Sequence, residues 1–144
     1  MEKSSLLIAR ILLAHMFILA GIGKISNFSG TQQYMEAMGV AGGLIVPVIM
    51  LEIGGGLLLL AGWFTRWAAI ALGVFCILTA AIFHTNFADQ IQMMMFMKNL
   101  TIAGGMIVLA VHGAGEWSVD PIWNRWLKQR HERAVHEHGD AKPT

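Results

Sequence analysis

Cysteine is nearly absent. Cys76 is the only one in 144 residues and lies in an apolar run. An internal disulfide and a CxxC redox pair are both excluded, so redox work here would need a bound cofactor, a quinone, a metal or a partner's thiols. Charge is also scarce: 13% of residues are charged and 56% hydrophobic, against about 25% charged in a soluble domain. There is no P-loop, GxGxxG, GxSxG or HExxH, and nothing points to nucleic acid. No internal repeat is present, which weighs against an ordinary secondary transporter.

What the chain does have is long uncharged runs. Met93 to Val111 reads MMMFMKNLTIAGGMIVLAV, with Lys98 its single charge. Nineteen residues make a helix of roughly 28 Å, about the apolar thickness of a bilayer. Three further runs of this kind predict an all-α membrane protein, a four-transmembrane-helix bundle with spans at about 5–23, 44–62, 67–84 and 93–112. The first span is read as uncleaved, because Arg10 interrupts it and Gly21-Ile22-Gly23-Lys24 is a poor cleavage site. Residues 1–115 are expected to form the bundle and 116–144 a cytoplasmic tail.

Between spans 1 and 2, Ser29 or Thr31 could cap a short helix through Glu36 with Gly39 as its stop; Phe28, Tyr34, Met35 and Met38 give it an apolar side, and it reads as an interfacial or re-entrant helix lying over the bundle mouth. Pro47 falls in the first turn of span 2, where its missing N–H costs little. Gly54-Gly55-Gly56, the Ala69/Gly73 pair and Ala103-Gly104-Gly105 suit close helix packing. Asp120-Pro121 opens a tail with Trp123, Trp126, Arg125, Lys128, Arg130 and Arg133. It reads as a basic amphipathic C-terminal helix lying on a membrane surface.

A charge within a span needs a partner or a route to the interface. Arg10 is close enough to its end to snorkel. Mid-span His15 is read as hydrogen-bonded to a neighbouring helix. Glu52 stands alone in LIVPVIMLEIGGGLLLLAG, and Lys98 is its best partner in sequence. Basic residues favour one side: Lys3, Arg66, Arg125, Lys128, Arg130 and Arg133, against Lys24 with Lys98 just inside. The positive-inside rule then places both termini in the cytoplasm. Glu52 and Lys98 fall at similar depth in the outer half, with Lys24 and His84 at the same end. A polar cluster of Lys24, Glu52, His84, Lys98 and Asn99 follows. Two readings stand: an ion pair fixing helix register, or a site for a quinone headgroup, a small anion or a proton path.

Haem is disfavoured, since His84, His15 and His112 fall at different depths. Met93 and Met97 share a helix face but are read as lipid-facing or core residues rather than a metal site. His131, His136 and His138 could bind metal only weakly.

Four stretches carry a resemblance: RILLAHMFILAGIGKISNFSGTQQYMEAMGV, LEIGGGLLLLAGWFTRWAA, FHTNFADQ and FMKNLTIAGGMIVLAVHGAGEWSVD. In this order they resemble the DoxX family of small four-span bacterial inner-membrane proteins, from about Leu7 to Asp120. Lys24, Glu52, Arg66, Lys98 and Asn99 match its motif positions. The resemblance implies kinship with a subunit of a thiosulfate–quinone oxidoreductase, and with members linked to membrane oxidoreductase complexes and oxidative-stress defence. It brings no catalytic assignment, and the Trp-rich basic tail exceeds the family's short end. The expected function is a redox-associated, quinone-linked inner-membrane subunit. A non-enzymatic scaffold and a small-molecule transporter are the alternatives. The lipid bilayer, a quinone or small anion, a partner subunit of a redox complex and a second copy of the chain are the partners considered.

Overall fold

The computed structural model describes residues 2–130 apart from 124 and 127. Five α-helices follow one another: α1 (Glu2–Ser26), α2 (Phe28–Ala37), α3 (Ile45–Ala61), α4 (Thr65–Phe83) and α5 (Gln90–His112). A single 3-10 turn, Gly42–Leu44, leads into α3. Four of these helices are long and apolar enough to cross a membrane. Only 22–33% of each one's most apolar window is buried, so the remaining apolar surface needs lipid rather than water around it.

The bundle is two antiparallel pairs. Helix α1 packs along α3 and α4 along α5, and α3 joins the pairs through α4. Small residues allow the close approach. A Cβ on Gly56 would lie 2.8 Å from Ile18 Cγ1 and 3.1 Å from the Ala14 carbonyl oxygen, and one on Gly55 would press on Leu72. Gly73 meets Met106 across α4 and α5 in the same way. Gly54 and Gly104 face open space, and Gly105 makes only ordinary contact with Leu13. The third stretch therefore packs closely through Ala103, which is buried in the core, and not through its glycines. Ala14, Phe17, Leu59, Leu72, Met106 and Leu109 form the centre of the core.

Helix ends are set by local chemistry. Gly62, with φ +69°, ends α3, a left-handed stop that only glycine adopts freely. Asp89 caps α5 by accepting from the Ile91 N–H at 2.8 Å, which starts that helix three residues before the expected Met93. The cap position of α2 belongs to Asn27, not to Ser29 or Thr31. Those residues lie inside the helix, and the Thr31 hydroxyl donates back to the Asn27 carbonyl at 2.9 Å. Gly39, with φ +76°, lies just past the end of α2.

Two expectations about buried polar groups are corrected. Arg10 does not snorkel: it is 1% exposed. Its Nη1 donates to the Ala114 carbonyl at 2.6 Å and its Nη2 to the Trp117 carbonyl at 3.1 Å and the Leu60 carbonyl at 3.4 Å. His15 faces outward and has no polar partner among the described residues, because α1 turns its other side to α3. The surface placement expected for the C-terminal helix lies partly outside the described residues, as do Arg133, His131, His136 and His138. Within them, helical residues resume at Asp120.

Candidate functional site

The antiparallel pairing brings the ends of α1 and α4 and the beginnings of α3 and α5 to one end of the bundle. A cavity of about 300 Å³ opens there, at the lower end of the range for small-molecule sites. All five polar residues singled out in the sequence line it: Lys24, Glu52, His84, Lys98 and Asn99. They come from α1, α3, the residue after α4 and one turn of α5, so the cluster exists only through tertiary packing.

Glu52 pairs with Lys24, not with Lys98. The Lys24 Nζ donates to Glu52 Oε1 at 2.7 Å. The reason is topological: α3 packs directly on α1, whereas α5 is the neighbour of α4. Equal depth gave Lys98 and Glu52 the same height in the membrane but not adjacent faces. Lys98 is left exposed at the cavity, with no hydrogen bond or ion pair among the described residues. The Glu52 side chain is 4% exposed against 26% for Lys24. Its second oxygen, Oε2, is buried without a hydrogen-bond partner among the described residues.

The other polar groups are half committed. His84 Nδ1 lies 2.8 Å from Gln92 Oε1, and Asn99 Nδ2 donates to the Met95 carbonyl at 2.9 Å. Each retains one uncommitted polar atom. Two lysines against one carboxylate give the cavity a net positive formal charge.

Sequence reasoning expected a helix over the bundle mouth with Tyr34 and Met35 on its apolar side, but missed the aromatic walls that the spans supply. Phe17, Phe75 and Phe83 line the cavity, and α2 covers it with Thr31, Tyr34 and Met35. Tyr34 stacks on Phe83 with centroids 5.6 Å apart, and its hydroxyl reaches the Phe83 carbonyl at 3.4 Å. The short segment between spans 1 and 2 is therefore a wall of the cavity. Cys76, a buried member of the core, also reaches the wall. Among the described residues, no three His, Cys, Asp or Glu side chains group as metal ligands.

The opposite end is built differently. Beyond α5 the chain folds back over the α3–α4 turn. The Val119 and Asp120 N–H groups donate to the Ala61 and Gly62 carbonyls at 3.2 and 2.9 Å. The Asp120 carboxylate accepts from the Phe64 N–H at 2.8 Å and the Thr65 N–H at 3.3 Å, so it caps α4. Trp63 meets Trp123 edge-on at 5.9 Å. Arg10 holds this return segment from beneath.

Comparison with known proteins gives a consistent picture. Residues 5–85 match the DoxX family. The chain is 51% identical over 125 residues to "Inner membrane protein YqjF" of Escherichia coli K12, covering 87% of this chain and 96% of that protein. It is 36% identical over 122 residues to "Inner membrane protein YphA" of the same organism, covering 80% and 87%. No solved structure matches it.

Proposed function

This chain belongs to the DoxX family, and from that premise we propose that its cavity binds a quinone headgroup, as a membrane subunit working beside an oxidoreductase. It is an integral inner-membrane protein; both termini face the cytoplasm in this reading, so the cavity opens on the outer half.

The observation that carries the reading is the unengaged Glu52 Oε2, buried in the wall of an aromatic-lined cavity that also holds an unpaired lysine. A quinone offers a flat apolar ring and two carbonyl acceptors. Phe75, Phe83 and Tyr34 supply surfaces for the ring. The Lys98 ammonium supplies a donor to one carbonyl. Reduction of a quinone consumes two electrons and two protons; the partner enzyme would supply the electrons, and Glu52 sits where a carboxyl can pass a proton. Desolvation makes each such contact stronger than in water.

The Lys24–Glu52 pair also supports a second reading, a scaffold in which this pair fixes the packing of α1 on α3. One experiment separates the two. The protein, purified from native membranes in mild detergent, is extracted for mass spectrometry and titrated with a short-chain quinone. Stoichiometric quinone that is lost in Glu52→Gln and Lys98→Met supports the site. A ligand-free protein that binds no added quinone sinks it and leaves the scaffold.

A further inference from the structure

A second hollow lies at the other end of the bundle, about 550 Å³, where the start of α4 meets the turn after α5. Thr65, Arg66, Trp67, His112, Asp120 and Trp123 are in its wall. Arg66 is exposed and makes no hydrogen bond or ion pair among the described residues. Thr65 is 0% exposed, yet its Oγ1 has no hydrogen-bond partner among the described residues. Asp120 brings the opposing charge, but both its oxygens accept backbone N–H groups, and it faces the Arg10 guanidinium electrostatically. His112 Nδ1 lies 3.0 Å from the Val108 carbonyl. The uncommitted charge in the hollow is that of Arg66.

A groove of about 140 Å³ lies between α4 and α5 on the same flank. Ala69, Ile70, Gly73, Ile77, Ala103 and Ile107 line it, and no polar side chain does. Arg66, Ile70, Gly73 and Ile77 follow at spacings of four, three and four, so they form one stripe along α4. The stripe leads from the guanidinium straight into the groove, over roughly 16 Å. All five tryptophans of the chain, Trp63, Trp67, Trp117, Trp123 and Trp126, sit at this end. Tryptophan concentrates at the level of lipid headgroups.

An unpaired cation with a buried free hydroxyl beside it, standing at the head of an apolar furrow, has the chemistry of an anionic phospholipid. We propose that Arg66 and the Thr65 hydroxyl hold the phosphate of one such lipid, with an acyl chain lying in the α4–α5 groove. The groove is what selects a lipid over a free phosphate ion.

The test uses the full chain in nanodiscs containing equal phosphatidylglycerol and phosphatidylcholine. Native mass spectrometry reads which lipid stays bound on release. Phosphatidylglycerol should be retained in about fivefold excess, the worth of one basic side chain near the membrane surface. Arg66→Gln should bring the two lipids to parity, and Arg66→Lys should keep part of the preference. Ile107→Trp fills the groove without touching Arg66 and should lower retention of both lipids; it decides the matter if Arg66→Gln loses helicity. Equal retention by the parent protein overturns the proposal, as does a preference unchanged in Arg66→Gln. Displacement by millimolar inorganic phosphate also overturns it, by assigning the site to a free anion.

Discussion

The two ends of the bundle each bury one charged side chain, and they treat it in opposite ways. At one end the Arg10 guanidinium spends three hydrogen bonds on backbone carbonyls from two distant segments. At the other, Glu52 has a single lysine for company and one oxygen with nothing. A buried charge whose two terminal nitrogens bond carbonyls from distant segments holds structure together, even though its Nε is buried without a partner among the described residues. One with a vacant lone pair beside a cavity is set up for something that arrives. Both residues are almost wholly hidden and each keeps one unpartnered atom, so what separates the fastening from the site is the distant segments that Arg10 ties and the cavity beside Glu52.

That contrast can be broken by substitution. The largest loss is expected for Arg10→Met, which orphans the Ala114 and Trp117 carbonyls and frees the return segment; it should destabilise the fold by about 3 kcal/mol or more, read as a fall in melting temperature in detergent. Lys24→Met strands the Glu52 carboxylate and should cost about 2 kcal/mol. The double variant Lys24→Met, Glu52→Leu should regain most of that, and failure to regain it would mean the pair does more than balance charge. Asp120→Ala removes the cap of α4 and should cost about 1 kcal/mol, with added protease sensitivity after Gly113. The smallest effect belongs to Lys98→Met, which should leave the melting temperature in place while weakening quinone binding about tenfold. A Lys98→Met protein that melts early would erase the contrast, because Lys98 would then be a fastening too.

The sequence carried the spans plainly, because long uncharged runs have one physical use in a chain of this length. It also carried the membership of the cavity. Depth follows from counting residues at a fixed rise per residue, and depth alone gathers Lys24, Glu52, His84, Lys98 and Asn99 at one level. Direction around each helix was not legible. With four spans all apolar on nearly every side, no polar face marks which neighbour a helix will meet. Glu52 was therefore matched to Lys98 at the right height and on the wrong helix. Arg10 failed for another reason: its acceptors are backbone carbonyls, which every residue has and no sequence displays. The sequence placed a helix over the bundle mouth, but not its contact between Tyr34 and Phe83, two residues 49 positions apart.

The Arg10 fastening has a consequence for the making of the protein. Its carbonyl partner on Ala114 lies 104 residues later in the chain. At cellular synthesis rates that is a wait of roughly 5 to 20 s. Through that interval the first span waits with two of the three carbonyl partners of Arg10 still to come, and a chain released before Ala114 never meets them. Quality control that senses an unmatched charge in a span would thus distinguish finished copies from truncated ones by a residue near the beginning of both.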